Sequence, residues 1–156
     1  QTFFSILNNK KNRHGRFLMD QNCAYCVEGD LVAKFGIKIC ELETSKVYLF
    51  KEQSHPGRCI VAHKKHVGDM NELTAEERAA YFEDVARVAR AIMAAFHPDK
   101  VNYGAYGDTG HHLHFHLCPK YKDEFEWGGV FLMNPDKKYL TDAEYAEMIE
   151  KIKANM

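Results

Sequence analysis

The run His112-Leu-His-Phe-His-Leu-Cys118 alternates polar with apolar residues, and a period of two is the period of a β-strand. On a strand, His112, His114 and His116 share one face while Leu113, Phe115 and Leu117 point to the other. The segment therefore belongs in a sheet with one face against a core and a row of imidazoles on the other. One or two histidines make an ordinary polar strand face; three in register beside the glycine-bearing turn "GAYGDTG" point to chemistry. A single metal ion held by all three is sterically awkward. At strand rise the Cα atoms of His112 and His116 stand ~13 Å apart, whereas zinc takes nitrogens at about 2 Å. Two of them can share an ion. The other use of neutral imidazoles near physiological pH is to attack, donate and shuttle protons at phosphate oxygens.

The rest of the chain supplies a sheet for that strand. "FGIKICEL" sets Phe35, Ile37 and Ile39 against Gly36, Lys38 and Cys40, and "KVYLF" and "RCIVA" follow as short β-rich runs. Thr74 opens a capping box with Glu77, and Phe82, Val85, Ala89, Ile92 and Phe96 then recur at spacings of three and four up to Pro98, which predicts a long helix. A strand near Val101 to Tyr103 precedes the histidines. A second capping box, Thr141 with Glu144, starts a C-terminal helix with Tyr145, Met148, Ile149 and Ile152 on one side. The class is α+β with a mainly antiparallel sheet. The expected organisation is one domain over 1–156, with 1–22 as a basic arm carrying Lys10, Lys11, Arg13, His14 and Arg16.

With 21 basic and 22 acidic side chains, no overall field favours nucleic acid or a membrane, so an anionic ligand must be held locally. No apolar run has the length of a membrane span, and the first residues lack the order of a signal peptide, so a cytoplasmic protein is expected. Five cysteines, at 23, 26, 40, 59 and 118, are an odd number. They read as thiols or metal ligands rather than disulfides.

His112-Leu-His114-Phe-His116-Leu-Cys118 followed by Pro119 resembles the signature of the histidine triad (HIT) family, and "CAYC", "PGRCIVAHKKH" and "NYGAYGDTG" resemble family segments in the same order. The resemblance implies a five-stranded antiparallel sheet with a long helix and a C-terminal helix, paired as a homodimer. It implies a purine nucleotide substrate, no organic cofactor, and cleavage at the α-phosphate of nucleoside 5′-phosphoramidates or dinucleoside polyphosphates. By position His114 is the nucleophile, forming a nucleotidyl-histidine, with its other ring nitrogen held by a backbone carbonyl. His116 would hydrogen-bond phosphate oxygens, and His112 completes the catalytic set. A phosphate-dependent nucleotidyl transferase and a non-catalytic nucleotide-binding protein are the alternatives.

For the phosphates the resemblance points to Asn102, Gly107, Asp108, Thr109 and Arg58, with Gly104 and Gly110 also admitting backbone amides. A turn hydroxyl and a turn-forming amide account for Thr109 and Asn102 equally well. Arg58 stands where many members have histidine, and a guanidinium can hold phosphate but cannot share protons in the same way. Asp108 replaces a common glutamine or asparagine, and caps the turn or orients a histidine. Glu52 is the nearest acidic residue to the ribose-binding position. Cys23 and Cys26 have the spacing for one tetrahedral ion; a subset of relatives completes it with residues matching His66 and His112, which makes a structural zinc site. His63 is the rival for His66, and two buried thiols beside a histidine would be the non-metal arrangement. Cys40, Cys59 and Cys118 are expected in the core, and Trp127 is expected as packing.

Overall fold

The computed structural model describes residues 20–156. The basic run from Lys10 to Arg16 lies outside the described residues. Two single-turn helices, α1 (Ala24–Val27) and α2 (Asp30–Ala33), lead into β1 (Gly36–Glu41), β2 (Ser45–Phe50) and β3 (Cys59–His63). A 3-10 turn (Met70–Glu72), the long helix α3 (Ala75–Phe96), β4 (Lys100–Gly104), β5 (His114–Lys120) and α4 (Asp142–Lys153) follow. The five strands form one antiparallel sheet in the order β1-β2-β3-β5-β4. Hydrogen bonds to β3 and β4 on either side satisfy β5, so the histidine strand is held rigidly inside the sheet.

The alternation in β5 divides the sheet as expected. Leu113, Phe115 and Leu117 join Val47, Leu49, Cys59 and Val61 in the main core, which α3 and α4 cover. Tyr48, Phe50, Ile60 and Ala62 point to the opposite face and pack with Tyr25 and Val32. In β1 the strict alternation fails, because the register with β2 shifts between Lys38 and Cys40. Ile39 is the extra residue of a bulge, and Ile37 and Cys40, expected on opposite faces, both pack against the main core.

Both capping boxes form: Thr74 accepts from the Glu77 amide while Glu77 accepts from the Thr74 amide, and Thr141 and Glu144 repeat the exchange. Helix α3 ends where His97 turns left-handed ahead of Pro98. Val85, Ala89 and Ile92 lie in the core as expected, and Tyr81 joins them, its hydroxyl donating to the Val61 carbonyl at 2.7 Å. Phe82, expected there, is 43% exposed at the edge of the interface. On the same helix the buried Asp84 carboxylate accepts from the Thr44 amide (2.9 Å), the Thr44 hydroxyl (2.7 Å) and the Ser45 hydroxyl (2.8 Å), tying α3 to the β1–β2 turn. Asp84→Ala therefore lowers stability by about 2 to 3 kcal/mol, read from urea unfolding midpoints; a loss below about 0.5 kcal/mol would mean that water replaces the carboxylate.

From 121 to 141 the chain runs as an irregular strap, which the sheet edge holds by side chains. Lys120 donates to the Gly129 carbonyl (3.1 Å) and the Tyr121 hydroxyl to that of Pro56 (2.7 Å). Glu126 pairs with His55 (2.6 Å) and accepts from the Leu132 amide (3.0 Å). No described helix is long and apolar enough to cross a membrane.

Candidate active site

His114 and His116 project from β5 on the face away from the main core, opposite Ala62 and Ile60 of β3. His112 precedes the regular strand, where Leu113 still exchanges bonds with its neighbours: its amide donates to Val67 and its carbonyl accepts from the His63 amide. The histidine row thus extends one step beyond the strand.

Acceptor-only carbonyls decide two of the tautomers. His114 Nδ1 lies 2.6 Å from the His112 carbonyl oxygen, so Nδ1 carries the proton and Nε2 the lone pair. His112 Nε2 lies 2.7 Å from the His63 carbonyl oxygen, so its free lone pair is on Nδ1. Arg58 decides the third, donating from Nη2 to His116 Nδ1 at 3.1 Å and leaving the His116 proton on Nε2. Burial holds all three rings below the ordinary imidazole range. His116 falls to about 2, first through burial and then through the Arg58 charge, and His112 to about 4, again chiefly through burial. The row is neutral at physiological pH, as a nitrogen nucleophile requires.

His114 lines a cavity of about 710 Å³ that also takes in Gly107, Asp108, Thr109 and Gly110. Tyr25, Phe35, Tyr106 and Phe131 supply aromatic walls, and the Tyr25 ring lies 5.2 and 5.0 Å from those of His112 and His114. The described lining includes no lysine or arginine. Imidazoles, the hydroxyls of Thr109 and Tyr106, the Asn22 amide and backbone N–H groups are therefore the donors this wall offers an anion.

At one end of the cavity Cys23, Cys26, His66 and His112 bring one ligand atom each within 4.8 Å of one another. The separations are 3.3 Å from Cys23 Sγ to His112 Nδ1, 3.2 Å from Cys26 Sγ to His66 Nδ1 and 3.3 Å between the two Nδ1 atoms. A tetrahedral ion with bonds of about 2.0–2.3 Å sets edges of about 3.3–3.8 Å, so the donor set fits such an ion. The His112 tautomer agrees, since its lone pair is the one aimed into the cluster. His63 is not part of it: its Nδ1 accepts from the Lys65 amide at 2.9 Å. Without an ion, burial and then the neighbouring Cys23 push the Cys26 thiol up to about 12.

A family model described as the HIT domain matches residues 36–123. The chain belongs to the HIT family. Members of this family are generally nucleotide hydrolases or transferases. The adenosine 5′-monophosphoramidase hnt1 of Schizosaccharomyces pombe is 28% identical over 116 residues, 69% of this chain and 80% of that one. A histidine triad protein from Sinorhizobium meliloti shares the fold with a TM-score of 0.75 at 21% identity, over 82% of this chain and 95% of the other. A zinc-bound histidine triad family protein from Mycobacterium smegmatis has a TM-score of 0.61 at 23% identity, covering 85% and 91%.

Within this HIT domain several expected phosphate contacts lie elsewhere. Arg58 is completely buried and outside the cavity lining, so it touches His116 rather than the cavity. Asn102 is half-buried on β4 opposite Cys118, beyond the His116 end of the row and also outside the lining. Asp108 and Thr109 do line the cavity, but among the described residues Asp108 makes no hydrogen bond to the turn or to a histidine. A Cβ at Gly107 would meet only ordinary contact and one at Gly110 none, whereas at Gly104 it would run into Tyr106 at 2.5 Å and Phe131 at 2.9 Å. Gly104 is thus required by aromatic packing. Glu52 is buried and bound to the Ser54 and Lys138 amides at 3.1 and 2.9 Å, which makes it a bracket for the strap. Trp127, expected as packing, is 43% exposed. Cys59 and Cys118 are buried, and Cys40 packs partly against the core. Sequence reasoning missed Tyr25 and the Phe131–Met133 wall; the one signal for Tyr25 was its place between two candidate metal ligands.

Proposed function

We propose that the protein cleaves nucleoside 5′-phosphoramidates, and secondarily dinucleoside polyphosphates, at the α-phosphate through a nucleotidyl-His114 intermediate. The observation that carries this reading is the His114 ring, whose Nδ1–H is fixed on a carbonyl at 2.6 Å beside the cavity. Its Nε2 lone pair attacks phosphorus, a P–Nε2 bond forms, the bond to the leaving group breaks, and the leaving group takes a proton from solvent. The ring then carries positive charge, which the His112 carbonyl stabilises through Nδ1–H. Water attacks phosphorus in the second step, the P–Nε2 bond breaks, a proton passes to solvent, and the nucleoside monophosphate leaves. His116, outside the cavity lining but with its ring 5.3 Å from that of His114, serves as a donor to the phosphate oxygens through Nε2–H.

The phosphoramidase activity of the S. pombe relative supports a purine nucleotide substrate, with the base against Tyr25, Phe35 and Phe131. We assign zinc to Cys23, Cys26, His66 and His112 as a structural ion, in keeping with the zinc-bound M. smegmatis protein. Four protein ligands leave no open position for substrate. Tyr103 is exposed on edge strand β4, which supports a homodimer formed along that edge. Five free thiols suit a reducing compartment such as the cytoplasm.

Amine release from adenosine and guanosine 5′-phosphoramidates, run beside a diadenosine polyphosphate with and without inorganic phosphate, tests the reading. Turnover of a phosphoramidate is expected. Products that incorporate phosphate would make the protein a transferase, and nucleotide binding with no product from any substrate would overturn the enzymatic reading.

A further inference from the structure

We propose that Arg58 is a positioning residue: it fixes His116 as the Nε2–H tautomer and ties that ring to the Phe131–Met133 wall of the cavity. Arg58 is 0% exposed and forms no ion pair among the described residues. Its guanidinium lies 4.2 Å from the centroid of the Phe50 ring and 4.9 Å from that of Phe131. Nη1 donates to the Leu132 carbonyl at 3.1 Å, and Nη2 donates to His116 Nδ1 at 3.1 Å and to Met133 Sδ at 3.4 Å. Nε is buried with no hydrogen-bond partner among the described residues. The Glu52 and Glu126 carboxylates favour the Arg58 charge from beyond contact distance; a buried cation with no carboxylate in contact is still costly, and an apolar side chain of similar size would fill the same space at less expense. The ring contacts and distant carboxylates offset part of that cost, and the identity of its acceptors gives the residue a role that packing alone would not.

An unconstrained neutral imidazole can carry its proton on either nitrogen. A guanidinium is always a donor, so the nitrogen it faces must be an acceptor. His116 is also boxed by edge-on rings, with Phe50 at 5.4 Å and His114 at 5.3 Å, so its orientation is set by packing and its tautomer by Arg58. On the reading that His116 serves the phosphate, the consequence is direct: Nε2–H offers an anion a donor, whereas the other tautomer would offer a lone pair and repel it. The planar fork serves both acceptors at once. Leu132 and Met133 line the cavity, so one side chain aligns the wall that receives substrate with the ring that stabilises it. Lysine, whose donors all sit on one nitrogen, does not span the two acceptors as the fork does.

Tautomers can be read from long-range ¹H–¹⁵N correlations on protein labelled at histidine, with and without Arg58→Met and Arg58→Lys. Wild type is expected to show a protonated Nε2 and a bare Nδ1 on His116. In Arg58→Met the two tautomers mix and kcat falls about 10²-fold, in line with loss of one aimed donor. Arg58→Lys keeps the Nε2–H signal and holds kcat within about tenfold of wild type, while KM rises because the Leu132 carbonyl has lost its donor. A wild-type spectrum with the proton on Nδ1, or an Arg58→Met protein with unchanged tautomer and turnover, overturns the proposal. If Arg58→Met fails to fold, the wild-type and Arg58→Lys spectra decide it. A protein that turns over no nucleotide but shows the expected spectra would refute the proposed function alone.

Discussion

Alanine in place of His114 lowers kcat by about 10⁴-fold or more, the scale seen when a nucleophile is deleted, and leaves nucleotide binding in place. The two outcomes separate because different atoms carry them. In the proposed mechanism turnover needs the His114 Nε2 lone pair, which exists because Nδ1–H is committed to the His112 carbonyl. On the proposed reading, binding rests on the aromatic walls at Tyr25, Phe35, Tyr106 and Phe131, of which Tyr25 alone packs on the His114 ring. The fold survives, since the side chain gives up one hydrogen bond and its packing on Tyr25, a loss of about 1–2 kcal/mol. Mass spectrometry of rapidly quenched wild-type enzyme is expected to show a nucleotidyl adduct, and the same treatment of His114→Ala to show none. Turnover within tenfold of wild type, or an adduct on the variant, would move the nucleophile to another residue.

The site was legible in the sequence where its geometry is local. A period of two put His114 and His116 on one face, and two capping boxes marked the starts of α3 and α4 because each joins residues three apart. What escaped were contacts between distant parts of the chain. Arg58 finds Leu132 and Met133 across more than seventy positions, and nothing in "PGRC" indicates that its guanidinium turns inward to a histidine. The bulge at Ile39 is likewise set by β2, since an extra residue shows only against a partner strand. Helices α1 and α2, four residues each, are too short to show a helical period. Even so, α1 carries Tyr25 and Cys26 to the cavity and the metal-ligand cluster. Residue types were legible there; the partners that decide their roles were not.

His112 links the two halves of that chemistry, and Cys26→Ala is the substitution that exposes the link. Its ring places Nδ1 in the Cys23–Cys26–His66 cluster and Nε2–H on the His63 carbonyl, while its own carbonyl orients His114. Two imidazole lone pairs facing each other at 3.3 Å repel unless a cation or a proton lies between them. An ion held by these four side chains would supply that charge and pin α1, with Tyr25, against the triad. Binding to the folded chain alone adds about 4 kcal/mol at a free-ion concentration ~1,000 times Kd. Wild-type protein is expected to carry one zinc per chain and to lose several degrees in Tm on chelation. Cys26→Ala is expected to carry none, to melt at the chelated wild-type temperature and to ignore the chelator. The His114 Nδ1–H resonance, sharp in the loaded protein while the His112 carbonyl is fixed, broadens in the variant. That signal reports the link without any assay of activity. Wild-type protein that binds no zinc, with a Tm indifferent to chelator, would leave Cys23 and Cys26 as buried thiols and return His112 to the role of an orienting backbone.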